Sequence, residues 1–302
     1  MSHPRPARIA PPRTVFLQAC RLDVAVRKPG NVSLHSAGHG MQARQFLDSA
    51  AAAAPALFTP GARVGARIEA AMAATLAVAG CNTNLGIVLL CAPLAAALER
   101  CAGSWNDDGD DERPSALRAA LAQVLAELDV EDARAAYRAI AAANPGGLGR
   151  AEAQDVAAGP TVGLQEAMRL AADRDRIAHQ YATGHADLFD TGLEALIRQA
   201  APPRPIDAAA VQALFLAFVG RWPDSHIVRK FGAAVAQAVT DEAAPWLRRA
   251  ENGEPVGDDP AFAAWDEDLK ARGLNPGTSA DLTVATLFIA GALGIADLST
   301  FP

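Results

Sequence analysis

The chain has 302 residues, 51% of them hydrophobic, only 5% aromatic, with a formal net charge of −7. That length is enough for one large domain with a substantial core, and abundant alanine with few aromatics favours close-packed helices over sheets. The negative balance excludes general attraction to nucleic acid or to an anionic membrane, so any anionic ligand needs a local basic pocket.

In chain order, residues 1–13 (MSHPRPARIAPPR) are rich in proline and arginine and read as a disordered arm. No signal peptide is apparent, and the chain reads as cytoplasmic with reduced thiols. Cys20, Cys81, Cys91 and Cys101 lack metal-ligand spacing and read as small hydrophobes. Apolar periodicity predicts helices over 14–27, 41–54, 60–78, 84–101, 115–128, 131–143, 163–181, 185–199, 207–222, 224–239 and 279–296. The run 105–114 is acidic and contains glycine, a solvated loop. The apolar stretch 282–296 is too short to span a membrane and reads as a central buried helix. No strand or fixed-period repeat emerges, so residues 14–302 are expected to form one all-α domain. Its many small apolar residues let helices approach closely, and a homodimer is expected on that ground.

Four segments are more polar than connectors need to be. The first is Lys28-Pro-Gly-Asn31, followed by His35 and His39. Pro29 stops a helix and Gly30 frees the backbone, exposing N–H groups beside a lysine, an arrangement suited to phosphate. The plainer reading is a surface helix stop, at which Lys28 would tolerate alanine. The second is Asn82-Thr83-Asn84 before an apolar helix, a helix cap or a phosphate-binding helix N-terminus. The third, 169–185, sets Arg174 on an apolar stripe with Leu170, Ile177 and Tyr181. Asp175 and His179 lie four apart, and Arg169, Asp173 and Arg176 form a solvated face. Asp187 and Asp190 are either a metal-sharing pair or two exposed acids, the latter favoured. The fourth, 275–281, fits a capping box in Thr278 and Asp281. Between the last two lies Trp222-Pro-Asp-Ser-His226, where Asp224 fits a cap with Arg229 and Lys230 one turn inside. Together the segments point to a phosphorylated, nucleotide-like ligand.

The stretches KPGNVSLHSAGHGM (28–41), CNTNLGIVLL (81–90), AMRLAADRDRIAHQYATGHADLF (167–189), PDSHIVRKFG (223–232) and LNPGTSADL (274–282) resemble the triphosphoribosyl-dephospho-CoA synthase family, in its order. The pattern is closer to a shorter, divergent, archaeal-like branch. The resemblance implies an all-helical cytoplasmic transferase that binds ATP. In the family reaction the 2′-hydroxyl of dephospho-CoA displaces adenine from C1 of the ATP ribose. Other members usually carry a histidine, one spacer and Asp-Met where this chain has His39-Gly40-Met41. They carry NTHKG where it has Asn82-Thr-Asn-Leu-Gly86, so an acid and a lysine are missing.

On that basis Asp175 and Asp224 are the expected catalytic carboxylates, with Asp281 a further candidate near C1. Lys28, Gly30, Asn31, His39, Asn82, Thr83, Asn84, Arg174, Arg229 and Lys230 are expected to bind substrate and phosphate. Asp281 and Asp224 are expected to hold Mg²⁺ that enters with ATP, alongside a coenzyme-like acceptor. Two rival readings are a same-fold enzyme acting on another acceptor in one-carbon coenzyme biosynthesis, and a non-catalytic nucleotide-binding or scaffold protein.

Overall fold

A computed structural model describes residues 10–102, 112–145, 154–199 and 204–299. Among them are fourteen α-helices: α1 Pro12–Ala25, α2 Ala43–Leu57, α3 Val64–Ala79, α4 Leu85–Cys101, α5 Arg113–Ala126, α6 Val130–Ala143, α7 Leu164–Arg169, α8 Arg176–Thr183, α9 Leu193–Gln199, α10 Ala208–Val219, α11 Ser225–Phe231, α12 Ala233–Glu251, α13 Pro260–Ala271 and α14 Gly277–Ala292. The fold is all-α. The described extended structure is one two-residue parallel pairing, Arg204–Pro205 with Ala296–Asp297, and an isolated antiparallel bridge between Gly38 and Met41.

Helix α14 is the axis of the molecule. From Leu282 to Ala292 every side chain is buried, because α1, α4 and α10 all pack on it. A helix apolar on all faces is stable only when enclosed in this way. Small residues set the spacing. A Cβ on Gly291 would lie 2.6 Å from Val15 Cγ1, and one on Gly192 2.5 Å from Thr286 Oγ1. Phe288 meets Phe16 edge-on at 6.1 Å and Phe58 at 5.8 Å. A second core of Phe215, Leu216, Val219, Val239, Phe262 and Leu269 lies between α10, α12 and α13. Helix α10 joins the two cores, with Leu214 and Phe218 on the first side.

Several expected helices are broken, each for a local reason. The segment 163–181 is two helices, α7 and α8, because the Asp175 side chain accepts the amides of Ile177 and Ala178 and starts a new helix. Asp175 is therefore an N-cap and not a mid-helix partner of His179. The segment 224–239 breaks at Gly232, whose φ of 90° no helix accommodates. The segment 185–199 opens as a π-helical turn over Asp187–Gly192. Helix α13 lies in a stretch where no helix was expected. In α14 the first turn begins at Gly277 with no side-chain cap, so Thr278 and Asp281 form no capping box. Residues 1–9, and 105–111 of the acidic run, lie outside the described residues. Helix α1 begins at Pro12, inside the expected arm.

Two surface readings also change. Asp187 is buried, and Arg176 grips both of its oxygens at 2.7 and 2.8 Å while stacking 3.9 Å over Trp222. Asp190 instead pairs with Arg118 on the surface. Neither acid is available to share a metal. The four cysteines are free thiols, three of them buried.

Candidate functional site

One cavity of about 740 Å³ opens where the C-terminal end of α1, the loop after it and the N-terminal ends of α4, α8, α11 and α14 meet. Its size is typical of a small-molecule site. Helix N-termini present unpaired N–H groups and a positive dipole end, which favour anions.

The loop after α1 and the start of α14 are locked together. Gly30 has φ of 79°, and a Cβ there would lie 2.7 Å from both Leu274 O and Pro276 Cδ. Its N–H donates to Asp266 Oδ1 at 2.9 Å. Asp266 is fully buried and also takes Lys270 at 2.9 Å. Asn31 Nδ2 donates to Asn275 Oδ1 at 2.6 Å, and His39 Nε2 lies 2.8 Å from Gly30 O. Asn31 and His39 line the cavity.

Lys28 does not. Its side chain is fully buried and turns back along α1, where Nζ bonds the Asp23 carbonyl and pairs with Asp23 Oδ1 at 3.0 Å. The expected surface turn is thus a buried ion pair, and the ammonium is spent on Asp23 and not on a ligand. Gly30 likewise acts through packing: its N–H is taken by Asp266.

At the start of α4, Asn82 Oδ1 caps the helix by accepting Leu85 N at 3.0 Å. Thr83 donates to Ser49 Oγ at 2.7 Å. Asn84 is 4% exposed; its Oδ1 accepts from Thr75 Oγ1 at 3.0 Å while its Nδ2 has no partner among the described residues. All three line the cavity.

Cations reach the cavity from α11 and from the segment before α8. Arg229 bonds Asp175 Oδ2 through Nη1, and its buried Nε has no hydrogen-bond partner among the described residues. Lys230 and Arg174 line the cavity with no ion pair among the described residues. His226, not among the residues expected from sequence, also lines it, and its buried Nε2 has no hydrogen-bond partner among the described residues. Burial, then Lys230, Arg229 and His39, pushes the His226 imidazole down to about 3, so it is neutral at pH 7.

The three candidate carboxylates have different fates. Asp224 is buried outside the cavity lining. Its Oδ1 accepts His226 N (2.9 Å) and Ile227 N (3.4 Å), and its Oδ2 accepts Ser279 N (2.7 Å) and Oγ (2.8 Å). It caps α11 and ties it to α14, so it has no free oxygen for catalysis or for a metal. Asp175 faces the cavity, but both of its oxygens are held, so it positions Arg229. Asp281 is half-buried, faces the cavity and has no hydrogen bond or ion pair among the described residues. It presses so closely on α4 that a Cβ at Gly86 would lie 2.0 Å from its Oδ2. Burial, then repulsion from Asp23 and Asp224, pushes its carboxyl well above the usual range.

The sequence reading also passed over Asp23, which lines the cavity from α1. The signal was present: an acid following Phe16 and Ala19 on a buried helical stripe, five residues before a lysine.

A sequence profile described as ATP:dephospho-CoA triphosphoribosyl transferase matches residues 10–297. The chain belongs to that family. It is accordingly a transferase of the triphosphoribosyl-dephospho-CoA synthase type. The fold agrees. A solved structure from Archaeoglobus fulgidus, assigned as a triphosphoribosyl-dephospho-CoA synthase, superposes with a TM-score of 0.59 at 22% identity. The match covers 82% of this chain and 99% of that one. No curated protein is similar enough to match. Among the described residues no helix is long and apolar enough to cross a membrane.

Proposed function

We propose that this chain moves the triphosphoribosyl group of ATP onto the 2′-hydroxyl of dephospho-CoA, and that both substrates meet in this cavity. One observation carries the reading. Three residues that line the cavity, Asn84, His226 and Arg229, each carry a buried nitrogen (Nδ2, Nε2 and Nε) with no hydrogen-bond partner among the described residues. Each such group costs about 1–3 kcal/mol unless something pairs with it. A triphosphate is rich in acceptors and suits them, with Lys230 and Arg174 supplying charge. Asn31, His39, Asn82 and Thr83 would orient the nucleotide by neutral hydrogen bonds. Leu76, Ile140, Ala167, Met168 and Ala171 form an apolar side of the cavity that suits a base or the acceptor's aliphatic arm.

Mg²⁺ fits the same reading. Asp281 is an unpaired oxygen donor of the kind a hard cation takes. Among the described residues no three His, Cys, Asp or Glu side chains gather into a metal cage, so the ion would travel with the phosphates and Asp281 would be its protein carboxylate. When bound, Mg²⁺ supplies neutralisation of phosphate charge.

A second acceptor class is favoured by one residue. Leu85 lines the cavity where the family pattern places a lysine, so an acceptor with one fewer anionic group would fit better there. The test is incubation with Mg-ATP and dephospho-CoA, following free adenine by chromatography. Adenine release that depends on both substrates is the expected result. ATP binding without release would redirect the reading to another acceptor, and no ATP binding would end it.

A further inference from the structure

We infer that Asp23 is a catalytic residue, its Oδ2 being the fixed negative charge that faces C1 of the ribose as the bond to adenine breaks. This rests on the triphosphoribosyl-transfer reading above. Asp23 lies in the last turn of α1 and lines the cavity, 6% exposed. Lys28, itself fully buried, pairs with Oδ1 at 3.0 Å and bonds the backbone carbonyl of Asp23, so one ammonium ties the carboxylate to its own main chain. Oδ2 accepts no hydrogen bond among the described residues. Asp23 is thus a carboxylate with one oxygen anchored and the other presented to the site.

The other acids are less suited to this task. Asp224 is outside the lining, and Asp175 is held by two amides and Arg229. Asp281 makes no ion pair among the described residues, Arg229 acting on it only at longer range, which suits a Mg²⁺ ligand. A divalent cation on Asp23 would instead meet the Lys28 ammonium. The two acids therefore divide the work as paired carboxylates in unlike environments do.

In the reaction the C1–N9 bond of ATP breaks and its electron pair leaves on adenine. The 2′-hydroxyl oxygen forms the new bond to C1 and loses its proton. One proton is taken up by adenine, so the exchange balances without oxidant or reductant. Between these events C1 carries positive charge, and a preorganised carboxylate stabilises it more than it stabilises neutral ATP. Asp23 itself makes and breaks no bond.

The test compares the parent with Asp23→Glu and the double variant Asp23→Asn/Lys28→Met, which removes the buried charges together and avoids stranding the lysine. Melting curves establish folding, calorimetry gives Mg-ATP affinity, and adenine release gives kcat and KM. The expected result is Mg-ATP affinity and KM within about threefold of the parent, with kcat lower by roughly 100-fold or more in the double variant, the scale of losing one preorganised electrostatic group. Asp23→Glu keeps the ion pair but displaces the charge and should also lower kcat alone. Parent-like kcat in either folded variant overturns the assignment. So does a loss confined to Mg-ATP affinity, which would make Asp23 a metal or nucleotide ligand. If the parent itself releases no adenine, the function reading fails and takes the assignment with it.

Discussion

Lys28 and Asp281 exchange the characters that a sequence reading gives them. Lys28 sits before Pro-Gly and looks like a surface turn, yet it is buried against Asp23. Removing one member of a buried pair strands the other, so Lys28→Ala should cost about 3–5 kcal/mol. A denaturant titration reads this directly, and a change under 1 kcal/mol would put the lysine in solvent. Asp281 looks like a helix cap, yet it lines the cavity with no hydrogen bond or ion pair among the described residues. Its folded-state carboxyl is pushed up by burial and by Asp23, so ionising it favours the unfolded chain. That penalty is absent below the ordinary carboxylate value of 3.8, grows as pH rises past it, and is complete above the raised value. Asp281→Asn should therefore melt higher than the parent at pH 7, with the advantage fading toward pH 4. The same variant should bind Mg-ATP more weakly by about 1.5–3 kcal/mol, the worth of a charge-assisted contact. A variant that is less stable at pH 7 and binds normally would make Asp281 a structural residue.

At the scale of elements, the sequence disclosed where helices lie better than where they join. Periodicity found α1, α4, α10 and α14 because their apolar faces are long and continuous. It missed the breaks at Asp175 and Gly232, where a single side chain or backbone angle outweighs the pattern on either side. Ten of the thirteen expected site residues line one cavity. In the three that do not, Lys28, Gly30 and Asp224, the polar groups are taken by Asp23, Asp266 and the starts of α11 and α14. No local motif could show that Asp224 serves two helices at once. It starts α11 with one oxygen and holds Ser279 of α14 with the other, 55 residues away. Because His226 and Arg229 ride on α11, Asp224 fixes both against the Asp281 helix. Asp224→Ala removes a cap and strands buried donors, an expected cost of about 2–4 kcal/mol. Mg-ATP affinity should fall as well, though Asp224 touches no ligand. Chemical denaturation and calorimetry on the same preparation check both, and parent-like stability would show that α11 is held by other contacts.

Over the whole molecule, a negatively charged protein presents a cavity lined by both cations and acids. The net charge of −7 repels a bare triphosphate at long range. Inside, Arg174, Arg229 and Lys230 attract phosphate while Asp23 and Asp281 oppose it. Asp175 offsets part of the Arg229 charge. Free ATP would therefore find its phosphates favoured by some of the lining charges and resisted by others. Magnesium changes that balance in two ways: it lowers the charge of the incoming nucleotide, and it turns the unpaired Asp281 carboxylate from an opponent into a ligand. The expected outcome is that ATP binds at least about tenfold more tightly with Mg²⁺ than with the metal chelated, about 1.4 kcal/mol. In Asp281→Asn the gain should shrink, because only the charge-lowering part remains. The two effects share one phosphate–metal unit, so metal removal and the substitution should be less than additive. Calorimetric titrations of both proteins, with and without Mg²⁺, give the four affinities needed. Equal ATP affinity in the presence and absence of Mg²⁺ would remove the metal from the site, and a full Mg²⁺ gain retained in Asp281→Asn would move its ligand elsewhere.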